Sequence, residues 1–277
     1  MDWLDALILG IVQGLAEYLP ISSSGHLEIF REILGLDLSG ADSLQFDVVL
    51  HVATVLSTIV ILWKRFVPLC TSFFTLRRDE NTTYVWKILL SCIPVGIVGV
   101  FFKDYVEQFF GGGLQIVGIC LCVTAALLAF AYFSRTYVSG PNGSGVVSAE
   151  KGRSISWTDA FVIGCAQAVA VLPGLSRSGT TIATGIMLGD KRSEVAQFSF
   201  FMVIIPILGE ALLDLLKLLG GEGADSPIGF LPMAVGFIAS FVVGCLACKW
   251  MIALVNRGGL VWFALYCVVV GVLCICW

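Results

Sequence analysis

The chain of 277 residues is 58% hydrophobic and 13% charged, with a mean hydropathy of +0.95 and a formal net charge of −4. Soluble domains average about 25% charged residues, so this balance excludes one and implies a multi-spanning membrane protein. No nucleic-acid partner is expected. The apolar runs Val48–Trp63, Trp86–Phe102, Leu114–Phe133, Val195–Leu213, Phe230–Ala247 and Leu260–Trp277, with their flanks, each approach the ~20 residues of a spanning helix. None has the alternating ~10-residue pattern of a membrane barrel. The chain starts Met-Asp-Trp-Leu-Asp without a basic n-region, so a cleavable signal peptide is not expected. The ten cysteines lie in or beside apolar segments, and buried thiols acting as small hydrophobes are expected, Cys245 and Cys248 included.

Residues 3–19 form an apolar segment too short to span, stopped by Pro20 and by Ser22, Ser23 and Ser24. Leu27–Leu36 supplies a second short leg. Three spans follow, and then a Gly/Ser-rich stretch, Ser139–Ser148, which reads as an exposed loop. Shifting the chain by 154 residues then repeats the opening. Trp3-x-Asp5-Ala6 falls on Trp157-x-Asp159-Ala160, and Gly10, Gln13 and Ala16 fall on Gly164, Gln167 and Ala170. Ser22, Ser24 and Gly25 fall on Ser176, Ser178 and Gly179, and Leu34-Gly35 on Leu188-Gly189, giving 11 identities over residues 3–35 without a gap. The expected organisation is one membrane domain of two repeats, about 1–138 and 154–277, joined by a linker at 139–153. Each repeat is a re-entrant helical hairpin followed by three transmembrane helices. Interrupted segments at matching places in two halves point to a site near the membrane midplane.

Three spans per half requires the second repeat to be inverted. With the N-terminus outside, Lys64, Arg65, Arg77, Arg78, Lys87, Arg135, Lys151, Arg153, Lys191, Arg192, Lys249 and Arg257 lie inside, and only Arg31, Lys103 and Lys217 lie outside, Arg177 being set apart. Twelve basic residues against three satisfies the positive-inside rule. The two hairpins then dip in from opposite faces, both termini lie outside, and the hairpin tips can meet.

Chemistry concentrates at those tips. A bare carboxylate at Glu17 would cost about 2.5–3.5 kcal/mol in hydrocarbon, so it reads as a general base, a metal ligand or the partner of a cation. Gln13 precedes it at i,i+4 spacing on the same helical face. His26 can act as acid, base or nucleophile near neutral pH. His51, four residues after Asp47 in an apolar run, reads as supporting or structural. The serines around each tip cap helices or, with the glycines, form an anion cradle at a helix N-terminus. Arg177 sits among them, and its planar fork suits phosphate oxygens. The cradle candidates are Gln13, Ser22, Ser24, Gly25, Gly174, Ser176, Ser178, Gly179 and Thr180, and the catalytic candidates are Glu17, Ser23, His26 and Arg177. Together they make a kit for phosphoryl transfer to water, on a lipid-borne phosphate because the site lies within the membrane. A lipid-phosphate or anion transporter is the alternative, since inverted repeats with paired hairpins are also transporter architecture.

The motifs GLAEYLPISSSGH and LPGLSRSGTT resemble the two signatures of the undecaprenyl-diphosphate phosphatase family of the bacitracin-resistance type, and the likeness runs from Trp3 to the C-terminus through the AQFSFF stretch at Ala196–Phe201. The resemblance implies hydrolysis of undecaprenyl diphosphate to undecaprenyl phosphate, the carrier lipid of peptidoglycan synthesis, in the bacterial plasma membrane at a site open to the outer face. It implies a divalent cation, Mg2+ or Ca2+, with Glu17 as candidate ligand, and bacitracin resistance on overproduction. A homodimer is compatible with it. The family's E/Q-x-x-x-E element falls on Gln13 and Glu17, its histidine on His26, its arginine on Arg177, and its candidate serines on Ser22, Ser23, Ser176 and Ser178. Some members carry glutamate where this chain has Gln13. The nucleophile is left open between Ser23, His26 and water. The other lipid phosphatases with PSGH and SRxxxxxHxxxD signatures do not fit, because their second histidine would fall at Ala183 and the chain has no histidine after His51.

Overall fold

A computed structural model of the chain describes residues 1–36, 40–102, 113–136, 152–219, 228–257 and 259–277. The expected loop at 139–148, Lys103, Lys151, Gly112 and Gly258 lie outside the described residues, as do the side chains of Arg135, Asp214, Lys217 and Arg257. The described chain is all helical apart from one isolated bridge between Arg153 and Asp190.

The repeated residues build repeated local structure. Helix α1, Trp3–Ala16, begins at Asp2, whose carboxylate accepts from the Leu4 and Asp5 amides while Asp5 accepts from the Asp2 amide. Its counterpart α7, Trp157–Val169, begins with the same reciprocal cap made by Ser156 and Asp159. Such caps satisfy orphan amides of the first turn. The second legs, α2 (Ser23–Leu34) and α8 (Arg177–Leu188), each end on a left-handed glycine, Gly35 at φ 65° and Gly189 at φ 101°. Only glycine takes that conformation without steric cost, which accounts for the repeated Leu-Gly pair.

Between and after the hairpins run α3 (Gly40–Ile61), α4 (Trp63–Phe74), α5 (Glu80–Phe101), α6 (Gly113–Thr136), α9 (Arg192–Met202), α10 (Ile204–Leu219), α11 (Phe230–Arg257) and α12 (Leu260–Cys276). Among the described residues, four stretches are long and apolar enough to cross a membrane: Glu80–Phe101, Gly113–Ser134, Arg192–Leu213 and Phe230–Val255. The pair α3–α4 is apolar enough only when its two legs are taken together, and it is bent as a broken span or a re-entrant loop is. The chain is therefore a multi-pass membrane protein, and its many exposed large apolar side chains, among them Phe101, Leu246 and Trp262, suit contact with lipid.

Two segments differ from the simple span pattern. After Ile61 the chain turns by 91° into α4, so Lys64 and Arg65 lie on a helix rather than in a loop. Apolar spacing explains α4: Phe66, Leu69 and Phe73 turn one face inward, with Leu69 buried, while Lys64 and Arg65 are exposed. The span at Val195–Leu213 breaks at Val203 into α9 and α10. Pro206 has no amide hydrogen for the Met202 carbonyl, and the Cys92 thiol of α5 takes that carbonyl instead at 3.4 Å.

The hairpins are packed by exchange. The first leg α1 lies against α11 of the second half, and α7 lies against α5 of the first. Helices α6 and α12 pack on each other. Small residues allow the close approach. A Cβ at Gly10 would sit 2.5 Å from the Gly236 carbonyl oxygen, and one at Gly164 would sit 2.4 Å from that of Ser91. Both obstacles are backbone, which cannot move aside locally. Gly164→Ala is thus expected to destabilise the protein by about 1–3 kcal/mol, read as a lowered thermal midpoint in detergent. Gly96→Ala, whose Cβ meets nothing within 4 Å, is the control and should not lower it.

Candidate active site

The two hairpin tips touch each other. A Cβ on Gly25 would come 2.9 Å from the Gly174 Cα, and one on Gly179 would come 3.2 Å from the Pro20 Cβ. The Ser178 hydroxyl crosses between tips, donating to the Leu19 carbonyl at 3.2 Å. Ser22 and Ser176 cap α2 and α8, accepting from the Gly25 and Gly179 amides at 3.3 and 3.0 Å. From α6, Thr124 holds the second tip, its hydroxyl oxygen accepting from the Ser176 amide at 3.0 Å.

The tips are not copies in detail. Ser22 has φ 72°, whereas Ser176 has φ −63°. A non-glycine residue there costs on the order of 1–3 kcal/mol and persists only where its surroundings hold it. Here the Ser22 carbonyl accepts from the His26 amide at 3.1 Å and from His26 Nδ1 at 2.8 Å.

Glu17, just past α1, is the point on which both halves converge. Its Oε2 accepts from the Ser23 hydroxyl at 2.6 Å and from Gln13 Nε2 at 3.0 Å, and lies 3.4 Å from His51 Nε2. Its Oε1 lies 3.4 Å from Arg177 Nη2 of the opposite tip. The Glu17 side chain is 9% exposed and that of Arg177 27%. Burial from water strengthens such an ion pair but makes an unpaired member costly. The next residue, Tyr18, pins the turn to α3, its hydroxyl donating to the Thr54 carbonyl at 2.6 Å with Ser57 and Thr58 oxygens at 2.5 and 2.8 Å.

A cavity of about 20 Å3 adjoins the pair, bordered by Glu17, Arg177, Ser178, Gln167, Thr181 and Ser199. It has room for about one water molecule.

Of the residues expected at the site, the structure gathers Gln13, Glu17, Ser23 and Arg177 into one network, and brings Ser178 to the same cavity. His26 lies elsewhere: its Nδ1 donates to the Ser22 carbonyl, and its Nε2 is 2.8 Å from the Tyr266 hydroxyl of α12, the rings stacked at 14°. A carbonyl only accepts, so Nδ1 carries the proton, and in the neutral ring Nε2 accepts from Tyr266. Ser24 and Ser22 hydroxyls are 3.4 Å apart, as are those of Ser176 and Ser178. The Thr180 hydroxyl is buried without a hydrogen-bond partner. Gly25, Gly174 and Gly179 supply close approach between the tips.

His51 stands nearer the chemistry than its apolar run suggested. Its Nδ1 donates to the Asp47 carbonyl at 2.7 Å, which turns Nε2 toward Glu17. The Asp47 side chain is engaged separately by Arg31. Tyr266 was not singled out in the sequence, since it comes from α12, far from the motifs; Thr181 closes the LPGLSRSGTT motif and Ser199 lies in the AQFSFF stretch, but neither was assigned a role at the site. Gln167 was visible only as the repeat partner of Gln13. All ten cysteines are free thiols, Cys245 and Cys248 among them.

Among the described residues no three His, Cys, Asp or Glu side chains gather as a metal cage. Gln13 Oε1, however, is buried without a partner beside the Glu17 carboxylate. One carboxylate and one amide oxygen fit a hard divalent cation that takes its remaining oxygens from a bound phosphate.

An all-helical membrane protein with a carboxylate and an arginine held between two hairpin tips defines the class. Residues 6–273 match the family model described as bacitracin resistance protein BacA, and the chain belongs to that family. It is 54% identical over 275 residues to the undecaprenyl-diphosphatases of Parabacteroides distasonis and Bacteroides fragilis, covering 99% of this chain and 98% of each relative. The undecaprenyl-diphosphatase of Christiangramia forsetii is 43% identical over 271 residues, covering 98% of this chain and 96% of that one.

Proposed function

We propose that the chain hydrolyses undecaprenyl diphosphate to undecaprenyl phosphate and inorganic phosphate at the junction of the two tips. The observation that carries this reading is the sharing of one buried carboxylate. Glu17 receives the Ser23 hydroxyl on one oxygen and Arg177 of the other tip on its second. Ser23 is the nucleophile and Glu17 its base. The Ser23 proton passes to Glu17, Oγ bonds the terminal phosphorus, and the bridging P–O bond breaks. The proton then goes to the departing lipid phosphate. Water next attacks the phosphoserine, giving a proton through Glu17 to the leaving Ser23 oxygen and releasing phosphate. Arg177 and the amides at the start of α8 hold the negative phosphate oxygens through both steps. His26 braces the strained Ser22 backbone that presents Ser23.

A divalent cation, Mg2+ or Ca2+, belongs to this reading. Glu17 and Gln13 Oε1 would hold it with the diphosphate, and it would neutralise phosphate charge there.

The same reading makes the halves inverted repeats in the bacterial plasma membrane, with both termini outside and the site open to the outer face. Support comes from the basic-residue asymmetry of twelve against three and from the exchanged packing of α1 on α11 and α7 on α5. The mutual contacts of Gly25 with Gly174 and of Gly179 with Pro20 also support it, since 154 residues separate Gly25 from Gly179 and Pro20 from Gly174.

Detergent-purified protein given undecaprenyl or farnesyl diphosphate is expected to release phosphate without a second compartment, as a transporter would not. Acid-quenched single turnovers should trap phosphate on Ser23. Turnover with no serine phosphate trapped would instead make water the nucleophile, and absence of turnover would defeat the reading.

A further inference from the structure

The cavity beside Glu17 and Arg177 is lined also by Gln167 of α7, Thr181 of α8, Ser199 of α9, and Thr54 and Thr58 of α3. The hydroxyl hydrogens there are already committed. Thr181 donates to the Arg177 carbonyl at 2.8 Å, Thr54 to that of His51 at 2.8 Å, and Thr58 to that of Thr54 at 3.1 Å. Ser199 Oγ lies 2.5 Å from Thr181 Oγ1, whose hydrogen is in use, so Ser199 donates to Thr181.

Gln167 differs. The residue is 1% exposed, and its Nε2 is buried with no hydrogen-bond partner. The repeat explains how this arose. Gln13 sends its Nε2 to Glu17, four residues on, at 3.0 Å. Gln167 is the same residue 154 positions later, but four residues beyond it stands Val171. The carboxylate is absent from the second copy, and the amide donor remains with nothing to bind. It shares the cavity with Arg177, a cation with several N–H donors. An amide donor and a guanidinium bordering one small cavity, whose other walls include Val55, Phe200, Val203 and Ile207, recognise an oxyanion there.

We infer that this cavity is a phosphate subsite, in which Gln167 Nε2 and Arg177 hold a tetrahedral phosphate oxyanion; the inference rests on the hydrolase reading above. With room for about one water, the cavity admits phosphate only as Arg177 leaves Glu17 for the incoming anion. Free phosphate released by the reaction and the terminal phosphate of the lipid substrate present the same chemistry.

The test is inhibition of purified wild-type, Gln167→Leu and Gln167→Glu proteins by inorganic phosphate during lipid diphosphate turnover. The inhibition constant should rise about tenfold in Gln167→Leu, the effect of one hydrogen bond to a charged group, and further in Gln167→Glu, where a like charge faces the anion. A rise in the inhibition constant alone identifies free phosphate as the occupant. An equal rise in KM identifies the substrate's terminal phosphate. Both constants unchanged within about twofold in both variants overturns the subsite. If the wild type releases no phosphate, the hydrolase reading fails. The subsite is then decided by whether inorganic phosphate raises the thermal midpoint of wild type more than that of Gln167→Leu.

Discussion

Arg177→Ala is expected to lower kcat/KM for undecaprenyl diphosphate on the order of 10^3-fold, the scale on which a positioned arginine stabilises a transferring phosphoryl group. The argument is positional. Arg177 is the first residue of α8, where unpaired helix amides already favour an anion, and its Nη2 lies 3.4 Å from Glu17. Removing it takes away the cation that balances both the buried carboxylate and the phosphate oxygens. Arg177→Lys should recover only part of the loss, because an ammonium keeps the charge but not the two-pronged geometry. Phosphate release measured across substrate concentration separates these cases. A variant within about tenfold of wild type would remove Arg177 from the chemistry.

The second large effect concerns the base. Glu17→Gln keeps the shape of the side chain and deletes its charge. It should cut kcat about 10^2- to 10^4-fold, the range that general-base catalysis supplies. Ser23 would keep a hydrogen-bond acceptor but lose a group able to take its proton, so serine phosphorylation in single turnovers should slow in step. Arg177 would be left without its counter-charge, a costly condition for a partly buried cation. The loss of rate therefore has to be read beside the thermal midpoint, to separate chemistry from instability.

Much of this was legible in the chain because local rules and the repeat agreed. The Trp-x-Asp pairs marked where each first leg starts, since an acidic residue three positions after the cap closes a capping box. The Leu-Gly pairs stood out only as part of the repeat: the leg expected at Leu27–Leu36 runs from Ser23 to Leu34 and stops at the left-handed Gly35, as its counterpart stops at Gly189. The i,i+4 spacing of Gln13 and Glu17 gave the hydrogen bond between them. What sequence spacing could not give was contact across elements. His51 reaches Glu17 only because α3 packs beside the first tip, and Tyr266 reaches His26 only because α12 closes over it. The run Val195–Leu213, read as one span, breaks at Val203 ahead of Pro206, and the Cys92 thiol that takes the freed carbonyl comes from α5. The direction of His26, toward the Ser22 carbonyl rather than Glu17, depends on the positive φ of Ser22, which no composition rule requires of a serine.

The central claim is that residues 160 apart in sequence, one from each tip, act as a single catalytic unit. The most direct measurement is a double-mutant cycle on kcat/KM for phosphate release, using Glu17→Gln, Arg177→Ala and the pair together. Groups that work as a unit are strongly non-additive, so the double variant should be little slower than the slower single variant. Losses that multiply, with the double variant slower by the product of the two, would mean that the tips act independently and would contradict the account.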